Sequence, residues 1–521
     1  MVQERINLFL FQLQEFGTRL VYPLLYQILV VFYFLKETIM DARSVATQIL
    51  TDVIGHKRSL SDCLDTQLDS LKDGRDRALA QALCYGVLRW LPRLQTLLRH
   101  LLRKPLNAQD SDIHVLLLIG LYQHLYLRIP PHAATAATVE VTRRLKKPWA
   151  TPLVNAILRN FQRQRNMLLD QVDKQINAKL AHPPWLLERL QADWPSFWET
   201  IVEANNTQPP LTLRVNTRCL SRDAYLEHLQ EAQIAATPTA YTEAGLTLVT
   251  QEKDEIINPT LANSSQQGEL TEGGNLDKNL LETNTSPFNQ KNVPEKNPEK
   301  KNSIFNLPGF TQGWISVQDG AAQLAASLLD VPAGARVLDA CAAPGGKTAH
   351  LLERYEIETL LALDNKPERV EKLANTLQRL QLSAQVRCAD VSQPDTWWDG
   401  HPFERILLDV PCSGSGIIRR HPDIKYLRKP KDIKTLAAQQ KRLLEALWPL
   451  LKPGGQLLYV TCSVFAEENH LQIKRFLENN KDAQEIKLAV NWGHALPNGR
   501  QILPGEDNLD GFYYACLSKK N

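Results

Sequence analysis

The sequence predicts a multidomain chain: an all-α N-terminal domain, a small α+β connecting region, and a C-terminal α/β domain built on a parallel sheet. Three observations carry this expectation. The chain has 521 residues, too many for one ordinary domain. Apolar residues fall at helical spacings after Asp41, whereas beyond Gly309 short apolar runs alternate with amphipathic stretches. Hydrophobic residues make up 43% and charged residues 22%, the composition of a soluble globular chain. Collagen-like, wholly disordered and polytopic membrane classes are thereby excluded.

Residues 1–40 stand apart as an extension. Within them Leu20 to Leu35 carries no charge between Arg19 and Lys36, with Pro23 and Gln27 inside the run. As a helix it would span roughly 24 Å, short of the ~30 Å hydrocarbon core. No small-residue cleavage site follows it, so a secretory signal is not expected. Two readings remain, an interfacial helix or a translation start at Met40, and the second fits better because recognisable sequence begins directly after it. No membrane partner is expected.

From 41 to 170 the pattern is helical. Leu50, Val53 and Ile54, then Leu64, Leu68 and Leu71, lie three and four apart. Residues 78–91 and 111–127 read as strongly buried helices, and 131–147 opens on a proline and closes on Arg143, Arg144, Lys146 and Lys147. The connecting region, 171–250, combines a proline-bounded helix near 182–195 with a strand at 211–216. Residues 251–307 form an Asn-, Glu- and Lys-rich insertion. Nine Asn and one aromatic, Phe288, between Gln251 and Asn302 cannot bury enough apolar surface to offset ordering, so disorder is expected there. From 308 to 521, strands are expected at 335–340, 360–364, 384–390, 405–411 and 455–461. A final β-rich segment covers 511–519. Short apolar strands separated by helices such as 367–380 signal a parallel sheet covered on both faces.

Net charge says little about partners, because 60 Lys+Arg against 57 Asp+Glu leave only +3. The eight cysteines contain no CxxC pair, which argues for a reducing cytoplasm and against a disulfide framework. No metal is expected.

The chemistry gathers at predicted strand ends. The first strand runs into Cys341, Ala342, Ala343, Pro344, Gly345, Gly346 and Lys347, a tight turn that opens a helix and aims backbone N–H groups at a ligand. A phosphate-binding P-loop would need glycine at position 341, and the dinucleotide pattern G-x-G-x-x-G is absent, so both nucleotide readings fail. The next strands end on Asp364, suited to ribose hydroxyls, on Asp390, suited to an adenine amino group, and on Asp409. A lone Asp is more often a helix cap or a surface carboxylate. Three in succession beside a Gly-Gly turn point to an adenosyl ligand without a triphosphate.

Cys412 follows the fourth strand and Cys462 the fifth, so neighbouring strands would bring both thiols to one rim near Asp409. Free cysteine is usually a small buried hydrophobe, and that reading is assigned to Cys63, Cys84, Cys219, Cys388 and Cys516. It is weak for a pair that emerges together beside a carboxylate.

Residues 337–348 (VLDACAAPGGKT), 406–428 (ILLDVPCSGSGIIRRHPDIKYLR) and 457–469 (LLYVTCSVFAEEN) resemble the NusB-domain-containing bacterial rRNA cytosine-C5 methyltransferases of the Sun/Fmu or RsmB type. Residues 76–89, 131–140 and 154–160 are similar to that family's NusB-like domain. The resemblance covers nearly the whole chain after Met40, apart from the insertion. It implies a NusB-like helical RNA-binding domain followed by a Rossmann-like methyltransferase domain using S-adenosylmethionine. It also implies Cys462 as nucleophile and Cys412 as the residue assisting release, an order that spacing alone leaves open. The chemistry agrees: C5 of cytosine is a poor nucleophile until a thiolate adds at C6, and Asp409 is placed to supply or organise the proton at N3.

Residues 418–434 carry seven Lys/Arg against two Asp, with Tyr426 among them. Such a run can track phosphates and stack a base, which makes Arg419, Arg420, Lys425 and Arg428 candidate RNA contacts. A solvated face is the more common meaning of a charge run, but this one directly follows Cys412. The activity the resemblance implies is 16S rRNA cytosine-C5 methylation, expected of a cytoplasmic monomer acting on unassembled or early small-subunit precursor RNA. The alternatives are a non-catalytic NusB-like RNA-binding or antitermination factor, and a cytosine-C5 methyltransferase for another RNA or for DNA. An intact cysteine pair disfavours the first, and the helical domain disfavours a DNA enzyme.

Overall fold

The computed structural model describes residues 41–249 and 304–521. The expectations about Leu20–Leu35, a start at Met40 and disorder over 251–303 lie outside the described residues. The last residues of the expected insertion are described, and Ile304–Asn306 form a single 3-10 turn. Among the described residues no helix is long and apolar enough to cross a membrane.

The described chain divides into two compact units. The first comprises residues up to Cys84 together with 101–124 and 129–163. It is wholly helical. Asp41 caps the helix Ala42–His56 by accepting from Ser44 N at 2.7 Å, and it pairs with Arg144 at 2.8 Å. The helix expected over 111–127 runs Ser111–Tyr126, and the one expected over 131–147 stops at Arg144. Gly120 lets one of these helices pass close to its neighbours, since a Cβ there would sit 2.8 Å from a methyl of Leu158. Buried Gln123 accepts from Arg43 Nε at 2.8 Å and donates to Thr138 Oγ1 at 2.9 Å, so its amide is used on both sides. The basic cluster here is largely paired: Arg143 with Glu140, and Lys147 with Asp110 at 2.9 Å and Asp112 at 2.7 Å. Trp149 is half exposed beside it.

The second unit comprises 85–100, 125–128 and 164 onward. Within it, β1 (Thr212–Val215), β2 (Ala236–Pro238), β3 (Gly245–Leu248) and β4 (Ile315–Val317) form an antiparallel sheet in the order β2-β3-β1-β4. The helix Arg222–Glu231, capped by Ser221, covers it through Tyr225 and Leu229. Strand β4 comes from beyond residue 308, so the small sheet draws on sequence that composition grouped with the C-terminal domain.

The large sheet contains β5 (Ala335–Ala340), β6 (Ile357–Asp364), β7 (Gln385–Cys388), β8 (Phe403–Asp409), β9 (Leu451–Thr461), β10 (Ala483–Ile486), β11 (His494–Ala495), β12 (Arg500–Ile502) and β13 (Phe512–Lys519). Its order is β11-β12-β13-β9-β8-β5-β6-β7, with β10 also pairing β13. Strands β5 to β9 are parallel, and β10 to β13 run antiparallel at one side, so the sheet is mixed. Alternation places Val337, Ala362, Leu407 and Val460 in one core and Leu338, Leu363, Leu408 and Tyr459 in the other, which is why the strands read as continuous apolar runs. The chain proceeds from β5 to β6 on one side and to β8 on the other. Ligands of such sheets bind where the order reverses, at the carboxyl ends of the strands. That crevice lies between Ala340 and Asp409.

Candidate active site

The turn after β5 is shaped by its backbone. Cys341 takes φ 64° and Gly345 φ 98°, left-handed conformations that fold the chain back. Ala342 N donates to Leu363 O at 2.8 Å, and Gly345 N donates to Ala342 O at 2.8 Å. Helix Gly346–Arg354 begins immediately, with its free N–H groups at the crevice. Arg214 of β1 fastens this helix at both ends. It donates to Gly346 O at 2.7 Å and, with two nitrogens, to the Glu353 carboxylate at 2.8 Å each. Arg214 and Glu353 are both buried, so neither can trade its partner for water.

Asp364, the last residue of β6, is buried and accepts from Ala343 N and Lys366 N, each at 3.3 Å. Both bonds are long, which leaves acceptor capacity for ribose hydroxyls. Arg369 flanks it at 3.3 Å. Asp390 lies two residues beyond the observed end of β7 and is exposed. Its carboxylate already accepts from Ser392 N at 2.9 Å and Ser392 Oγ at 2.8 Å, closing a local turn. Lys347, on the first turn of the helix, donates to Asp409 Oδ2 at 2.6 Å and stands 5.2 Å from the ring centre of Phe512. Burial works against a charged Lys347, yet the adjacent Asp409 carboxylate outweighs it, and the net shift holds the ammonium above its ordinary range. Beneath the turn, Asp339 is fully buried and accepts from Thr348 Oγ1 at 2.6 Å. Burial raises its carboxyl to about 7.

Cys412 and Cys462 meet at the rim, Sγ to Sγ at 3.3 Å. Their strands, β8 and β9, are neighbours in register, Asp409 opposite Val460. The loop carrying Cys412 is then pinned: Gly416 N donates to Cys462 O at 2.9 Å, and Gly511 N donates to Gly416 O at 2.8 Å. Only glycine fits at 416, because a Cβ would lie 2.1 Å from Gly511 O. Arg428 holds the same loop by donating to Ser413 O at 3.1 Å and Cys412 O at 3.2 Å. The Cys412 thiol is held well above its usual range, first by its hydrogen bond with Cys462 and then by burial. Either sulfur can donate in this contact.

The basic run corrects one expectation. Arg419 is 2% and Lys425 1% exposed, so neither is available to phosphates. Arg419 Nε donates to Asp510 at 2.5 Å, and Lys425 Nζ to Arg89 O, Ala181 O and Asn206 Oδ1 at 2.7–3.1 Å. Arg420 is paired with Asp319 and Asp510, and Arg428 is committed to the cysteine loop. The run packs its first half inward and leaves Lys429, Lys431 and Lys434 exposed. Tyr426 keeps its hydroxyl buried.

Three family models match the chain: NusB family over residues 40–163, a ferredoxin-like domain of RsmF/B-like methyltransferases over 182–253, and 16S rRNA methyltransferase RsmB/F over 326–518. A ribosomal RNA small subunit methyltransferase B from Pseudomonas putida is 44% identical over 481 residues, covering 92% of this chain and 99% of that one. The chain belongs to the RsmB/F methyltransferase family. A second member, from Vibrio cholerae and of the same name, is 43% identical, covering 93% of this chain and 98% of its own length. Among solved structures, PH0851 aligns with TM-score 0.70 at 19% identity over 92% of this chain and 99% of that one. A methyltransferase homologue from Pyrococcus horikoshii aligns with TM-score 0.51 at 24% identity, over 68% of this chain and 99% of that one. These likenesses show the fold. The expected NusB-like and methyltransferase domains are therefore present, and the connecting α+β region is the ferredoxin-like domain of the RsmB/F family.

Sequence reasoning passed over three residues on which this site rests. Arg214 lay inside a predicted strand, where a charged residue reads as solvent-facing. Asp339 preceded the turn and looked like part of the strand. Glu468 sat in the acidic stretch after Cys462, which reads as a helix start. It is buried beneath both cysteine loops.

Proposed function

We propose that the protein methylates C5 of a cytosine in 16S rRNA, with S-adenosylmethionine as methyl donor and Cys462 as covalent nucleophile. The observation that carries this reading is the thiol pair, Sγ to Sγ at 3.3 Å, at the ends of neighbouring strands beside the Lys347–Asp409 pair. The relatives named for the small ribosomal subunit support the substrate. The acceptor capacity of Asp364 and the backbone turn at 341–347 fit an adenosyl cofactor, with Asp390 as the candidate contact for its adenine. When bound, S-adenosylmethionine supplies an electrophilic methyl group.

The chain's residues do the rest. Cys462 Sγ, 3.3 Å from Cys412 Sγ, gives its proton to solvent, forms a bond to C6 and pushes ring electrons toward N3, leaving C5 nucleophilic. Lys347 carries a proton at the rim, and Asp409 organises it toward N3. After transfer the C5 proton passes to the Lys347–Asp409 pair, which has given its proton to N3; the C5–C6 double bond re-forms, N3 returns its proton to solvent, and Cys462 Sγ leaves as the thiolate. Cys412, in contact with that sulfur, assists the release. The base must be unstacked for C6 to be reached, so we expect unassembled or early precursor rRNA, met by a monomer in the cytoplasm.

Bisulfite sequencing of rRNA from cells with and without the protein tests this reading. One 16S cytosine should lose its protection in the deletion strain. Unchanged 16S rRNA with a lost site elsewhere would assign another nucleic acid, and no lost site anywhere would favour a non-catalytic RNA-binding factor.

A further inference from the structure

Glu468 is 0% exposed and has no cationic partner among its hydrogen bonds. Its Oε1 accepts from Ser413 N at 2.8 Å and Gln440 Nε2 at 3.0 Å. Its Oε2 accepts from Ser413 Oγ at 2.5 Å and Ser463 Oγ at 2.6 Å. Four donated hydrogen bonds are the environment a buried carboxylate needs, since an unsatisfied one would be costly. The donors are also specific in position. Ser413 is the residue after Cys412, and Ser463 is the residue after Cys462. Ser415 Oγ completes the bridge, 3.0 Å from Ser463 Oγ and accepting from Val464 N at 3.0 Å. The loop with Glu468 is itself anchored, because Tyr459 Oη donates to Glu468 O at 2.7 Å.

We propose that Glu468 is the positioning residue of the two-cysteine centre: one carboxylate ties both cysteine loops together and sets the contact between the sulfurs. The inference rests on the two-cysteine reading above. Glu468 touches no reacting atom and acts through Ser413 and Ser463. Its negative charge disfavours ionisation of Cys412, adding to the effects of the Cys462 hydrogen bond, burial and the Cys462 charge. Among the described residues, the other titratable and charged groups around the pair are Tyr459 on β9, Tyr514 on β13, Arg428 on the Cys412 carbonyl, and Lys347 with Asp409. None of these bridges the two loops.

The test is the pH dependence of alkylation by iodoacetamide, followed at each cysteine by peptide mass spectrometry on the full-length protein without RNA. Glu468→Gln preserves shape and removes charge. Its Cys412 half-alkylation point should move down by about one pH unit relative to wild type. Glu468→Ala, which also cuts the tie, should lower kcat roughly a hundredfold while KM for S-adenosylmethionine stays within about twofold. If Glu468→Ala does not fold, Glu468→Gln alone decides. An unchanged Cys412 profile in Glu468→Gln, or a kcat within about twofold of wild type in a folded Glu468→Ala, overturns the proposal. The alkylation result does not depend on turnover, so it separates from the two-cysteine reading, which fails if Cys462→Ala still methylates.

Discussion

The turn after β5 and the rim after β8 and β9 stand at the same edge of one sheet, yet they are held by different means. The turn is fixed by backbone conformation and by Arg214, which grips its helix from a neighbouring domain. The rim is fixed by a network of serine hydroxyls, a glutamine and a buried carboxylate, together with a close glycine–glycine passage. The difference follows from the tasks proposed for the two regions. A cofactor turn needs shape, and main-chain donors supply it without titrating. A rim where one thiol must attack and its neighbour must wait needs control of protons, which requires side chains. Damage to the turn should therefore appear in binding and stability, and damage to the rim in turnover.

The sharpest way to break this contrast is at the cysteines. Cys462→Ala should abolish both methylation and covalent RNA capture. Cys412→Ala should add and methylate but stall, accumulating a protein–RNA adduct on a denaturing gel with labelled rRNA and cofactor. A stable adduct from Cys462→Ala and none from Cys412→Ala would reverse the roles, and no adduct with activity retained would remove covalent catalysis.

The next largest effect belongs to the turn's anchor. Arg214→Met leaves Glu353 buried without its cation and should cost about 3–5 kcal/mol in urea unfolding. A loss below about 1 kcal/mol would mean that the helix does not depend on this grip. Asp339 offers a pH signature of similar origin. Its carboxyl is raised by burial to about 7 when folded, against roughly 4 when unfolded. The folded state thus holds the proton more tightly, so Asp339 stabilises most below pH ~4 and loses that contribution as pH rises to about 7, on the order of 4 kcal/mol. Asp339→Asn should flatten this part of the stability profile. An identical slope in the variant would place the titration elsewhere, Asp319 being the next candidate, at about 6. The smallest change is expected for Asp364→Ala, which should weaken S-adenosylhomocysteine binding by ~1–3 kcal/mol in calorimetry. Tight ATP binding with no S-adenosylhomocysteine binding would contradict an adenosyl-cofactor turn.

What the sequence made legible was set by local pattern. Strands β5, β6, β8 and β9 were readable because burial on both faces leaves an unbroken apolar run, and turns such as Gly345-Gly346 punctuate it. Adjacency of the Cys412 and Cys462 strands followed from that pattern. Partners distant in sequence were not readable. Arg419 and Lys425 looked like phosphate contacts because nothing near them signals Asp510 or the carbonyl of Arg89, both far along the chain. Strand β4 was missed because three residues, Ile315–Val317, are too few to show a period. Glu468 was hidden by the same ambiguity that affects any acidic residue: its burial depends on hydroxyls from two other loops.

The passage of Gly416 against Gly511 bears on how the enzyme comes into being on the ribosome. Every residue assigned to chemistry lies at or before Cys462, yet the loop bearing Cys412 is closed by Gly511, and Arg419 behind it by Asp510. The strand that follows, β13, completes the hydrogen bonding of β9. A nascent chain that has already released both thiols from the exit tunnel still lacks the backbone contact that shapes their rim. Competence therefore arrives only once residues 510–519 have emerged, and a chain stopped before them carries all its reactive groups without the contacts that shape their rim.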